Sequence, residues 1–460
     1  FSTWSRRRSV IMTLKINKLK INYKKVTSAL CTCLALSFVN VANANEAKTN
    51  NHNDDSKRFA ITNAKVYTAT KAGVLEKATV VVEGEKIVAV HLNDAVPSNL
   101  NTMTVIDAQG RILTPGFIGS MNTLGLVEVS AVAGTRDGYD DKADVTLDNS
   151  LAFNPKSTLI AYTRKGGITN NIVSSHAGDG LFSGQTFTVN LSGDYNSVVA
   201  KQNGVIIYLG TKSKGSRAKS LQGLDNLLAD AQEKLNDAKQ KQSASKKPIE
   251  EAKASRKEQV TLDLLSAKKP LVAYVDRASD ILALLTIKKK YNLNVILVGA
   301  SDAVLIKDEI VKAQVPIIMS PLKNLPGNFD SLHASLTNAA QLSNAGVNII
   351  FSPNGDAHNL NQLRFDAGIA VANGFDYVEA IKALTANVAD AFQLNAGRIE
   401  VGKQANIVLW SADPFELSSG VQQMWINGIE TSTVSRQDAL RDRYMTKSDM
   451  PEAYLNIKQN

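Results

Sequence analysis

The sequence predicts an α/β protein whose body is built from parallel strand and helix repeats, and three observations carry that prediction. Five short apolar runs, NGVIIYLG, KPLVAYVD, NLNVILVGA, QVPIIMS and GVNIIFS, recur between residues 203 and 352 and read as strands buried on both faces. Each is followed by a stretch of helical character, such as SDAVLIKDEIVKA after NLNVILVGA, and this alternation specifies a parallel sheet with helical crossovers. Finally, the 460 residues are 44% hydrophobic and 21% charged, which is apolar enough for a sizeable core. That length suits one large barrel with a satellite domain, or two to three domains of roughly 150 residues.

Taken in order, the strand patterns begin at Phe59. FAITNAKVYTA, ATVVVEGEKIVAVH and TVIDAQGRILTPG cluster β-branched residues between turn residues, and Glu83-Gly84-Glu85 reads as a hairpin turn. The strand and helix repeats follow. Between Gly210 and Pro270 lies a charged helical insertion, expected over 211–268. There Leu221, Leu224, Leu228, Ala231, Leu235 and Ala238 recur at three- and four-residue spacing, giving an amphipathic helix that either packs on the body or receives a partner. SASKKPIEEAKASRK marks a break and restart around Pro248. After Gly397 the chain returns to strands in GRIEVGKQANIVLWSADP and VQQMWINGIE, and 433–460 forms a tail.

The balance of 52 Lys and Arg against 43 Asp and Glu, a net +9, invites a nucleic-acid or membrane partner. Its location removes that inference. Residues 1–44 hold eight bases and no acid, then an apolar run from Val26 to Val41 and the small-residue site Ala42-Asn43-Ala44, the layout of a secretory signal. Met12 reads as the start and residues 1–11 as an upstream artefact. Without residues 1–44 the chain is nearly neutral, and Cys31 and Cys33 leave with them, so no disulfide framework is expected. The neighbours of those cysteines do not fit lipidation. The expectation is a periplasmic or secreted protein with a polar, disordered lead over 45–58, no nucleic-acid partner and no membrane association once the signal is removed.

RILTPGFIGS at 111–120, followed much later by GRIEVGKQANIVLW, resembles the amidohydrolase superfamily, and more narrowly its imidazolonepropionase-like secreted branch. FNPKSTLIAYTRKGGITN, HAGDGLFSGQ, PLVAYVDRASDI, QLRFDAGIAVANG, LTANVADAF and SRQDALRDRY are similar to successive blocks of that family in order. The resemblance implies a TIM-type (β/α)8 barrel over 113–396, with a composite β-sandwich from 59–112 and 397–432. It also implies zinc ions that polarise a carbonyl and activate water, held by His and Asp at strand ends.

Here the sequence departs from the family. Where PGFID-x-H-x-H is expected, Gly119 stands at the acid and Met121-Asn122-Thr123 replaces H-x-H; a thioether and a hydroxyl are poor zinc donors. Tyr274 occupies the place of the next histidine, with Asp276 and Arg277 after it, and Gly299 and Ala300 stand where another often lies. Asn406 replaces the aspartate of the closing motif in a structural role. The five histidines are His52 in the lead, His91 in the first strands, His176 in a glycine-rich loop, His333 in an expected helix and His358 after the last barrel strand. Asp356 and His358 are therefore the candidate catalytic pair, with His176, Tyr274 and Arg277 as candidate substrate-binding residues. Asp356, His358 and His176 are the available metal donors, too sparse for a binuclear zinc site.

Other patterns carry less. Gly178-Asp179-Gly180 with Gly184 is no dinucleotide fingerprint, and TKSKGS is no phosphate loop. Asp137, Asp140, Asp141 and Asp144 lack calcium-loop spacing, and no Gly-x-Ser-x-Gly elbow occurs. Two function classes follow. One is a hydrolase of non-peptide C–N bonds in small amides, cyclic ones included, with a weakened or altered metal site. The other is a catalytically inactive relative acting as a small-molecule-binding module, as a homo-oligomer, or as partner subunit of an active amidohydrolase.

Overall fold

The computed structural model describes residues 58–92, 103–178, 180–210, 213, 215–244, 254–353 and 357–445. The expected signal, nearly all of the lead, the break at Pro248, the end of the tail and Asp356 lie outside these residues. In chain order the strands are β1 (Arg58–Tyr67), β2 (Val74–Glu83), β3 (Lys86–Leu92), β4 (Thr104–Asp107), β5 (Ile112–Pro115), β6 (Phe117–Asn122), β7 (Tyr139–Asp140), β8 (Ile168–Ser174), β9 (His176–Ala177), β10 (Phe182–Asn190) and β11 (Val198–Tyr208). They continue with β12 (Leu271–Val275), β13 (Val295–Gly299), β14 (Ile317–Met319), β15 (Ile349–Phe351), β16 (Ile407–Trp410), β17 (Val421–Ile426) and β18 (Ile429–Glu430). The helices are α1 (Thr158–Arg164), α2 (Arg217–Ala244), α3 (Arg256–Leu265), α4 (Ala278–Tyr291), α5 (Lys307–Ala313), α6 (Asn338–Asn344), α7 (Leu363–Ala372), α8 (Tyr377–Ala383), α9 (Ala386–Ala391) and α10 (Arg436–Met445).

The two ends of the described chain share one sheet, ordered β18-β17-β16-β5-β1-β2-β3 with β4 beside β1. The junction is the antiparallel pairing of β5 with β16, in which Leu113 faces Leu409 and Pro115 faces Ile407. Alternating apolar side chains give this sheet its own core, including Phe59, Ile61, Val80, Leu113, Ile407 and Trp425, with the Phe59 and Trp425 rings stacked at 5.4 Å. The β17–β18 turn is the Asn427-Gly428 pair of WINGIE. Both residues have positive φ, as a two-residue hairpin matched to strand twist requires.

The second sheet runs β15-β14-β13-β12-β11-β10-β8-β6 and curls into a nearly closed barrel. Ser352, just beyond β15, donates its hydroxyl to the Ser120 carbonyl of β6 at 2.7 Å across the gap. Ile118, Ile172, Ile206, Val272, Ile296, Ile318 and Ile350, from seven strands, point inward and fill the interior with Val388 and Phe392. The eighth strand departs from the expected strict (β/α)8 repeat, since β10 is antiparallel to both β8 and β11. The reason is connection length. Only a few residues join β8 to β10 and β10 to β11, enough for hairpins but too few for the helix that a parallel crossover needs.

The insertion folds as α2 and α3. Leu224 and Leu228 are fully buried in the main core, and Lys290 of α4 pairs with Asp225 at 2.8 Å, so the amphipathic face of α2 packs on the body. Barrel and composite sheet are joined by buried polar clasps. Asn406 donates to Asn170 Oδ1 at 2.8 Å and accepts the Asn427 N–H at 2.7 Å, which accounts for its structural role. Gly167, at φ +75°, leaves the room that the fully buried Trp410 ring occupies, since a Cβ there would overlap it. The Arg364 guanidinium of α7 donates to the carbonyls of Pro414, Glu416 and Ser419 at 2.6, 2.8 and 2.7 Å, and burial pushes its pKa down to about 10. Because three carbonyls lose their donor together, Arg364→Met is expected to cost roughly 2–4 kcal/mol of stability in denaturant unfolding. A change within measurement error would remove Arg364 as the clasp.

Candidate functional site

The first two expected metal positions lie at the end of β6. Pairing of β6 with β8 slips between Ser120 and Asn122, and Met121, the bulged residue, adopts φ +55°. A bulge re-aims a side chain. Here it places Met121, fully buried, in the apolar cluster that holds Ile118, Ile172 and Ile206. Asn122 and Asn171 then exchange two hydrogen bonds of 2.8 and 3.0 Å, closing the polar gap beside it. A Cβ on Gly119 would meet Asn171 Oδ1 and Leu360, so the place of the family's acid is filled as well.

The later positions follow the same pattern. Tyr274 at the end of β12 lies against Tyr208 of β11 with ring centroids 4.7 Å apart. Burial pushes both phenols up, Tyr208 to about 12 and Tyr274 further, so neither supplies a phenolate at neutral pH. Among the described residues, no group of three or more His, Cys, Asp or Glu could hold a metal ion. A buried thioether, an amide pair and two neutral phenols do not fit the zinc centre that the resemblance implies.

What the strand ends build instead is a cavity of about 300 Å³ at the C-terminal ends of β11 to β15, where barrel active sites are found. Tyr208, Tyr274, Val298, Ile318 and Ser352 line it together with Asp276, Ser320, Lys323 and Asn324. Ser320 is buried with its hydroxyl toward the Asp366 carboxyl, and Lys323 Nζ donates to the Pro353 carbonyl at 3.0 Å. Asp276 accepts from the Ser301 hydroxyl at 2.8 Å, and burial raises its pKa against that bond. Asp366 of α7 is pushed up to about 6 by burial, with the Lys323 charge and the Ser320 hydroxyl pulling the other way.

The residues singled out from sequence are dispersed around this cavity. Tyr274 is in its lining. His176 is one step behind, with Nδ1 3.2 Å from the Tyr208 hydroxyl. Arg277 precedes α4, outside the lining, and lies 3.9 Å from Asp280. His358 is exposed after β15, its Nε2 3.1 Å from the Glu128 carbonyl, and Asp356 lies outside the described residues. His333 corrects the expected helix. The segment before α6 forms only a short 3-10 helix at Phe329–Ser331, capped by Asn328, and His333 Nδ1 meets Asp302 at 2.8 Å beside cavity-lining Ser331 and Ala334. Sequence reasoning missed Ser320, Lys323 and Asp366. The signal for Ser320 was its place as the last residue of the QVPIIMS run, just past the end of β14; Asp366 had none, because an aspartate in an apolar helix reads the same whether it faces solvent or a site.

Two outcomes are expected. A histidine at Met121 is forced into the apolar interior, so Met121→His should cost roughly 2–4 kcal/mol. Combined with Thr123→His it should still not acquire zinc one-to-one; tight stoichiometric zinc in the double variant, by elemental analysis, contradicts this geometry. The raised pKa of Asp366 makes the folded state prefer the protonated form, so stability is full near pH 4 and falls as pH rises through about 6. Asp366→Asn should flatten that fall, worth roughly 1–3 kcal/mol, in urea unfolding across this window. An unchanged pH slope would count against the assignment.

Residues 255–430 match the pattern of the amidohydrolase family. Comparison with curated proteins returns no match. Among solved structures, the amidohydrolase from Thermotoga maritima MSB8 is similar at 24% identity and a TM-score of 0.71, over 81% of this chain and 99% of that one. The β-aspartyl dipeptidase from Fervidobacterium islandicum AW-1, in complex with β-Asp-Leu dipeptide, is 15% identical with a TM-score of 0.52, over 82% and 98%. The A. niger ochratoxinase is 15% identical with a TM-score of 0.50, over 82% and 96%. At these identities the likeness to solved structures concerns the fold. Residues 255–430 therefore carry an amidohydrolase family domain, on a barrel whose fold is that of the amidohydrolase structures.

Proposed function

We propose that this chain is an exported protein that binds a small molecule at the barrel mouth and does not run the zinc-dependent hydrolysis of its fold. The observation that carries the proposal is Met121, buried in the apolar interior at a position where the family places a metal-binding histidine. A zinc ion cannot be held where its neighbours are hydrocarbon, because the dication loses its hydration without gaining donors. The cavity of about 300 Å³ remains, at the lower end of the size range for small-ligand sites. The acid-free basic segment over residues 1–44 supports export.

A second function is supported by the family domain and by Asp366, whose pKa of about 6 suits a proton acceptor near neutral pH. It is hydrolysis of non-peptide C–N bonds in small amides without the family's zinc, either by this chain alone or as partner subunit of an active relative. The two separate by experiment. Purified protein is expected to hold far less than one zinc per chain after exposure to excess zinc and dialysis, with a melting temperature unaffected by chelator. One tightly bound zinc per chain would falsify the binding-protein proposal. Amide turnover that survives chelation and is lost in Asp366→Asn would establish the second function in its place.

A further inference from the structure

We propose that the cavity at the ends of β11 to β15 takes a small organic ammonium, held by the Asp276 carboxylate, with its hydrocarbon part against the Tyr208 and Tyr274 rings. This rests on the binding role proposed above and names its ligand class. Among the described residues, the cavity lining carries two charged side chains, Lys323 and Asp276. Lys323 already has its counter-charge, because it and the Ser320 hydroxyl act on the buried Asp366 carboxyl, and its Nζ also donates to the Pro353 carbonyl. Asp276 is engaged differently. Its Oδ1 accepts from the hydroxyl and the backbone N–H of Ser301 at 2.8 and 3.3 Å, and among the described residues no basic side chain lies within ion-pair distance of it. The basic side chains around the mouth meet other acids, Arg217 pairing with Asp280 and Asp330, Arg277 with Asp280 and His333 with Asp302.

The backbone around this carboxylate is shaped to hold it. Gly299 of β13, paired with Val275 of β12, takes φ +90°, and a Cβ on it would meet Asp276 Oδ1 at 2.8 Å. A side chain at 299 would therefore displace the carboxylate that Ser301 orients. Tyr274 and Asp276 are two positions apart at the end of β12, so their side chains project from the same side of the strand, and both line the cavity. With the Tyr208 ring lying against Tyr274, an ammonium at Asp276 has an aromatic surface beside it, and ring faces attract a cation while neutral phenol oxygens accept its N–H groups. Val298 and Ile318 add apolar lining for the ligand's carbon atoms. Burial, together with the Asp330 and Asp302 charges, raises the Asp276 pKa against the Ser301 bonds. The carboxylate is thus held where its charge is unbalanced, a cost that a bound cation offsets, a neutral ligand leaves in place and an anion increases.

The test is calorimetric titration of the full chain at about pH 8, where alkylamines are protonated, with n-butylamine, butan-1-ol and butyrate. Butylamine is expected to bind at least about tenfold more tightly than the other two, the size of one charge-assisted hydrogen bond. Asp276→Asn, which keeps the side chain's shape and its bonds from Ser301, should remove that preference while butan-1-ol binding stays. Ser301→Ala should weaken butylamine several-fold, and Lys323→Met, which removes a charge already balanced by Asp366, should keep the preference. Preference for butyrate, equal binding of all three, no butylamine binding, a preference unchanged in Asp276→Asn or one lost in Lys323→Met each overturns the proposal. Zinc content, measured on the same preparations, separates the failures. Absence of the butylamine preference in zinc-free protein rejects the ligand class alone, and one-to-one zinc rejects the binding-protein proposal whatever butylamine does.

Discussion

The functional face of this barrel depends on how its interior is filled. Seven strands each contribute one aliphatic side chain to an inner layer, and the bulge in β6 turns Met121 into the same cluster. Close packing of this kind leaves no polar gap for an ion, and it fixes the strand ends tightly enough that the side chains after them sit in defined places. The cavity above the layer is thus a consequence of the core. Its lining includes two tyrosines, neutral because burial disfavours their charged forms, and residues of the loops after β12, β13 and β14.

The replaced metal positions are also coordinated with one another. Gly119, Asn122 and Asn171 form a small steric unit in which the missing Cβ makes room for the amide pair. A single restored histidine therefore meets a neighbourhood already adapted to its absence. The same logic explains why the polar groups with unusual surroundings have moved along the barrel. Ser320, Lys323 and Asp366 gather after β14 and on α7, away from the end of β6 where the family's first ligands lie. Of the acidic residues around the mouth, Asp330 and Asp280 pair with Arg217, and Asp302 meets His333 Nδ1.

Much of the architecture was legible in the residues. The five apolar runs are β11 to β15, the Gly84 turn is a hairpin, and the three- and four-residue spacing that includes Leu224 and Leu228 is the buried face of α2. These features are local, and period and turn chemistry encode them directly. The antiparallel β10 was less legible, because a strand pattern carries no mark of direction; connection length alone gives it. His333 was misplaced on a helix for a related reason, since the 3-10 helix capped by Asn328 ends before it and α6 begins only at Asn338, a boundary that pattern alone blurs.

By itself the sequence determined what was lost. No tertiary structure was needed to see that Met121 and Thr123 are poor zinc donors, or that the excess positive charge sits in residues 1–44, because donor chemistry and charge are properties of residues. What replaced the missing site was decided only in three dimensions. Ser320 and Asp366 lie 46 positions apart in the chain, and nothing local brings a hydroxyl, an ammonium and a carboxyl together. The barrel does so by packing α7 against the strand ends and withdrawing these groups from water, and burial, which no single residue encodes, is what gives an aspartate its raised pKa.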